Sequence, residues 1–220
     1  MKKILLLVEG LSEEIVVRNL LGPHFLTRDI YLEAVLVKTR IEKAGKAFKG
    51  GVVSFEKVRR DLKALLGDTS AAAVTTFIDY YGLPADFPGV ADRPATKDPY
   101  QRVAHVEAAF AHEIDHRRFI PHLTLHELEA WIYVEPSLAS WVFSNETVAS
   151  KLEAIRDQCG GAEFVNEGPD TAPSRRIMAL APDYTKTVAG PAAIEGVGLE
   201  RIRRSCKHAD AWLNRLEALA

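Results

Sequence analysis

Residues 3–8 of this chain read KILLLV, an aliphatic run in which polar and apolar positions do not alternate. A strand with one wet face alternates, so a short unbroken run fits a strand covered on both sides, as inside a parallel sheet. Further strand signals lie at 30–37, 71–78 and 119–125. Helical stretches fall between them. One spans 12–21, with Ser12 as N-cap and Gly22-Pro23 as its stop. A second covers 54–66. A third starts at Pro99 behind Asp98 and runs to about residue 117. Residues 127–135 read as a fourth helix, stopped by Pro136. Strands joined by helical crossovers make an α/β fold: a mostly parallel four-stranded sheet flanked by helices. Past residue 137 no strong strand appears, and helices are expected near 146–157, 174–181 and 198–218. The expected organisation is an α/β domain over 1–136 with a helical C-terminal extension, 137–220, packed on it.

The chain has 220 residues, 47% hydrophobic and 26% charged, enough to bury a sizeable core. No apolar run approaches the roughly 20 residues that cross a bilayer, so no membrane association is expected. The opening MKKILLLVEG is too short and too soon charged for a signal peptide. Cys159 and Cys206 fit neither a disulfide framework nor a metal knuckle, which suggests a cytoplasmic protein with reduced thiols. Net charge is −2, so a nucleic-acid partner would have to be gripped by local patches such as Ser174-Arg175-Arg176.

Open parallel sheets gather function outside the carboxyl ends of their strands. Glu9 follows the first strand directly and Asp79 follows the third. His126, Glu127 and Glu129 follow the fourth, and Glu13 is within reach of the same rim. Carboxylates so gathered repel one another unless a cation holds them, and oxygen donors suit Mg²⁺ or Mn²⁺. A metal held there suits phosphoryl chemistry. On an α-helix Glu127 and Glu129 would diverge by about 200°, so one of the pair is expected to turn inward, Glu127 ahead. His126 reads as a supporting hydrogen-bond partner, since hard metals prefer oxygen. Lys49-Gly50-Gly51 offers backbone amides to a phosphate, Tyr81 a ring for a base, and Ser174-Arg175-Arg176 a phosphate clamp.

A rival stretch precedes the fourth strand. His112-Glu113-Ile114-Asp115-His116 matches the H-E-x-x-H zinc pattern, whereas HELEA at 126–130 lacks the second histidine. Yet Val103, Val106, Phe110 and Ile114 share one helix face, and His112 and His116 fall opposite, toward solvent. The complete motif reads as an exposed helix face, and the broken one as part of the rim.

LLLVEGLSEE resembles the first motif of the Toprim domain, the catalytic fold of topoisomerases, primases and the overcoming-lysogenization-defect nucleases. The resemblance makes Glu9 the family's metal ligand or general acid/base, and Asp79 the first aspartate of its Asp-x-Asp pair. Tyr81 stands where the second would be, which leaves its place to Glu127 or Glu129. VEGLSEE, the GG loop, FIDYYGLPADFP, HELEAW and APSRR also occur, in this order, in a bacterial Toprim-like family of unknown function. Relatives in this clan work beside an ATPase in mobile-element defence, which implies an ATPase partner protein. The expected function is therefore Mg²⁺-dependent phosphodiester cleavage of nucleic acid. Its alternatives are a non-catalytic nucleic-acid-binding or effector subunit of an ATPase complex, and a zinc hydrolase built on His112, Glu113 and His116.

Overall fold

The computed structural model describes residues 1–37, 54–166 and 168–220. Strand β1 (Lys2–Val8) lies between β2 (Ile30–Leu36) and β3 (Ala71–Asp79), parallel to both. Its unbroken apolar run is explained by two cores. Ile4, Leu6 and Val8 feed one with the C-terminal helices, while Leu5 and Leu7 feed the other with helices α3 (Phe55–Leu66) and α4 (Pro99–Ile114). The sheet order is β2-β1-β3-β4, so the fold is α/β with a parallel sheet flanked by helices.

The lane beside β3 is not one strand but two short pieces, β4 (Phe119–Ile120) and β5 (Leu123–Thr124), each parallel to β3. Pro121 has no N–H to give a ladder. The Thr76 hydroxyl bridges the break, accepting the His122 N–H at 3.1 Å and donating to the His122 carbonyl at 2.6 Å.

The first helix does not stop at Gly22-Pro23. It runs as α1 (Leu11–Val16), a π-helical turn Val17–Leu21, then α2 (Gly22–Leu26). The wider turn accommodates a proline whose missing N–H would break an α-helical ladder. Ser12 is not the cap. Gly10 takes that place, its N–H donating to Glu13 Oε2 at 3.0 Å, while the Ser12 hydroxyl donates to the Lys186 carbonyl at 3.1 Å. Helix α4 starts as expected, Asp98 accepting the Tyr100 N–H at 2.9 Å, but ends at Ile114 because Asp115 adopts left-handed backbone (φ 44°).

Residues 128–134 wind as a 3₁₀ helix (Leu128–Val134), not an α-helix, and a second 3₁₀ segment, Pro136–Val142, follows. Every residue of the first is buried, so packing on all sides overrides helix propensity. Helices α5 (Thr147–Cys159), α6 (Pro173–Leu180), α7 (Ala189–Val197), α8 (Leu199–Ser205) and α9 (Lys207–Glu217) complete the chain. The long helix expected over 198–218 is thus two, broken at Cys206. Helix α7 has no counterpart among the expected helices, because Gly190, Pro191 and Gly196 argue against helix locally. Among the described residues, no helix is long and apolar enough to cross a membrane.

Trp212 of α9 fastens the C-terminal helices to the sheet. Its ring stacks on Phe77 (5.3 Å between centroids) and His122 (4.1 Å), and its Nε1 donates to Thr75 Oγ1 at 3.0 Å. Trp212→Phe keeps an aromatic in the stack and strands the buried Thr75 hydroxyl, at an expected cost of about 1–2 kcal/mol. The check is the urea midpoint at unchanged slope.

Candidate active site

The carboxyl ends of β1 and β3 lie side by side, and their acids meet there. Glu9 Oε2 accepts the Asp79 N–H at 3.1 Å, and Asp79 Oδ1 accepts the Leu128 N–H at 2.9 Å. This second bond ties β3 to the start of the 3₁₀ segment. His126, just before it, takes positive φ (66°), a conformation uncommon outside glycine and one that concentrates at functional sites. After that turn Glu127 is extended (φ −145°, ψ 159°), outside any helix, and Glu129 sits in the first 3₁₀ turn.

The divergence expected of an α-helix therefore does not arise, and both glutamates turn inward. Asp79, Glu127 and Glu129 each present a carboxylate oxygen within 4.8 Å of the others. Glu127 is held by α6, its Oε2 accepting the Ser174 N–H at 2.8 Å and its Oε1 the Ser174 hydroxyl at 2.9 Å. Across from them, Lys186 Nζ stands 3.3 Å from both Glu127 Oε1 and Glu129 Oε2.

Burial and crowding reshape the acidities. Burial, then the Glu13 charge, pushes Glu9 up to about 7, against the Asp79 N–H and Lys186, which favour its ionised form. Burial also pushes Glu129 up to about 7, with Lys186 opposing and Glu127 and Glu13 adding to the rise. Asp79 is raised well above an ordinary aspartate, by burial and then by Glu9 and Glu13, and Glu13 is itself raised by burial. Burial alone would lower Lys186, but the charges of Glu129, Asp79 and Glu127 outweigh it and keep the ammonium protonated.

The donor set is all carboxylate oxygen, the chemistry of a Mg²⁺ or Mn²⁺ site. An ammonium bridging two of the acids marks where positive charge is favoured. These residues fit a hard divalent ion, with Asp79, Glu127 and Glu129 able to hold it.

Lys186 carries no signal in the sequence. It is a lone lysine in the loop PDYTKTV, and neither periodicity nor a motif marks it. The other expected residues divide. Glu13 lines the crevice, and Ser174 positions Glu127. The His126 ring turns away to the Glu163 carbonyl (3.1 Å), and Tyr81 meets His126 through its backbone N–H, which donates to the His126 carbonyl at 2.7 Å. Arg175 is exposed, while Arg176 donates to the Thr171 carbonyl (2.9 Å) and Asn166 Oδ1 (3.0 Å), so Ser174-Arg175-Arg176 is not assembled as one clamp. Lys49, Gly50 and Gly51 lie outside the described residues. His112 and Glu113 are exposed on α4 and His116 lies past its end, so the complete H-E-x-x-H string does not share one helix.

Lys186→Ala removes the counter-charge from two buried glutamates. With the lysine partly solvated, the expected loss is about 1–2 kcal/mol at pH 8 and smaller at pH 5, where Glu129, raised to about 7, takes up a proton. Thermal melts at the two pH values check it.

A protein-family profile described as "Domain of unknown function (DUF4276)" matches residues 8–217. The chain belongs to the DUF4276 family. The match takes in Glu9, Asp79, Glu127, Glu129 and Lys186, so every element of the crevice lies within the DUF4276 domain. No curated protein and no solved structure matched the chain.

Proposed function

We propose that this protein is a Mg²⁺-dependent phosphodiesterase of the nuclease type, Toprim-like in its catalytic edge, acting on nucleic acid in the cytoplasm. The observation that carries the reading is the meeting of Asp79, Glu127 and Glu129 oxygens within 4.8 Å at the carboxyl edge of a parallel sheet, beside Glu9 and Glu13. Asp79, Glu127 and Glu129 would hold the ion. Mg²⁺ bound there would neutralise charge building on the phosphate. Glu9, pushed up to about 7, is poised to take or give a proton near neutral pH. Lys186 brings a positive charge to the same mouth, and Ser174 keeps Glu127 aimed. The Glu-Gly turn after β1 supports the Toprim likeness, and Glu127 and Glu129 stand in for the aspartate that Tyr81 replaces. Unpaired Cys159 and Cys206 suit a reducing compartment.

One observation favours a second reading. Lys186 bridges Glu127 and Glu129 at 3.3 Å, as a permanent counter-ion of a metal-free site would. The protein would then be a non-catalytic nucleic-acid-binding or effector subunit working with an ATPase, in mobile-element defence. Cleavage assays on DNA and RNA with Mg²⁺ or Mn²⁺, with and without a neighbouring ATPase, separate the two. Cleavage lost in Glu127→Gln supports the enzyme. No cleavage under any of these conditions, together with retained nucleic-acid binding, sinks it in favour of the subunit.

A further inference from the structure

Away from the acidic crevice, a second group of ligand-type side chains gathers where α4, the β5 edge and α9 meet. Glu107, His122 and His208 each offer one nitrogen or oxygen within 4.8 Å of the others. His208 Nε2 lies 3.0 Å and His122 Nδ1 3.7 Å from Glu107 Oε1. Donors around a tetrahedral zinc stand roughly 3.3 Å apart, given bonds of about 2.0–2.1 Å. The observed spacings bracket that value.

His122 supplies an independent observation. It is 1% exposed, clamped face to face against Trp212 with ring planes 3° apart, and neither ring nitrogen has a hydrogen-bond partner among the described residues. Two unsatisfied nitrogens in a core are costly, and a buried polar group left so calls for a ligand. Glu107 Oε1 accepts the Leu123 N–H at 2.8 Å, which fixes the carboxylate, and His208 Nε2 lies 3.2 Å from the Leu123 carbonyl, a contact that an ion would replace. Glu107 and His208 keep 14% and 15% of their side chains exposed, an entry path for an ion.

We propose that Glu107, His122 and His208 form a second metal site, for Zn²⁺, distinct from the carboxylate crevice. Two imidazoles and one carboxylate are borderline donors that suit zinc, unlike the all-oxygen set around Asp79. The ion fastens α9 to α4 and to the β5 edge, whose contacts with His208 span 101 and 85 positions of sequence.

The test is metal content and zinc response of the full chain, with Asp79→Asn as the variant altered only in the crevice. Expected is one zinc per chain after equilibration with Zn²⁺ and gel filtration, retained in Asp79→Asn and lost in His122→Ala and His208→Gln. Zn²⁺ raises the melting temperature of chelator-stripped wild type by roughly 5–10 °C and leaves His208→Gln unmoved. Should the histidine variants misfold, Glu107→Gln and the visible ligand-field bands of added Co²⁺ give the same answer. Substoichiometric zinc with no thermal response, or stoichiometric zinc retained in His208→Gln, overturns the proposal. Zinc lost from Asp79→Asn but kept in the histidine variants overturns it as well, by moving the ion to the crevice.

Discussion

Asp79→Asn is expected to lower Mg²⁺-dependent cleavage by about a hundredfold or more while leaving the fold intact. The substitution is nearly isosteric, and the amide oxygen can still accept the Leu128 N–H that Asp79 Oδ1 accepts at 2.9 Å. The backbone N–H that donates to Glu9 Oε2 is untouched. What disappears is one negative charge from the group formed with Glu127 and Glu129, and with it much of the attraction for a divalent ion. Because wild-type Asp79 is buried among like charges and raised well above an ordinary aspartate, losing that charge costs the fold nothing at neutral pH. The signature is therefore paired: activity falls while the melting temperature without metal holds or rises. Cleavage rates and melting curves on the same preparations check it. An active Asp79→Asn, or one that loses activity only because it unfolds, would remove Asp79 from the site.

The second large effect is on stability against pH. Glu9 and Glu129 sit at about 7 in the folded chain, against about 4.3 for a glutamate in an unfolded chain. Between those values the folded state binds more protons than the unfolded state, so stability falls as pH rises. The stabilisation is complete below the unfolded value and is lost as pH passes through about 7. One such glutamate is worth about 3–4 kcal/mol on this scale; the Glu129 charge is among the causes that raise Glu9, so the pair is worth less than twice that. Without metal the protein is expected to melt roughly 6–12 °C higher at pH 5 than at pH 8. A divalent ion favours the ionised acids, so Mg²⁺ should stabilise strongly at pH 8 and hardly at all at pH 5. Melting curves at both values, with Mg²⁺ or with chelator, decide it. A flat profile, or equal stabilisation at both, would mean the crevice does not confine its charges as described.

Much of this site is legible in the amino-acid sequence. Glu9 and Asp79 can be placed because each follows a buried run directly, and chain direction alone puts both at one end of a parallel sheet. The outward placement of His112 also rests on local pattern, since the apolar face of α4 is set by residues three and four apart. The fourth strand, by contrast, is legible only as a lane. Pro121 splits it, and the Thr76 hydroxyl that closes the gap lies 46 positions away.

Local periodicity by itself determined the parallel α/β frame and the rim where acids gather, because burial on one or two faces writes itself into neighbouring residues. Which of Glu127 and Glu129 turns inward was decided only in the folded chain. The left-handed turn at His126 and all-round packing of the 3₁₀ segment bring in both, and no intrinsic propensity encodes that. Lys186, the counter-charge of the crevice, comes from a loop 59 residues beyond Glu127. Its meeting with Glu127 depends on how the C-terminal helices close over the sheet, a long-range arrangement to which a single lysine in a loop adds no pattern of its own.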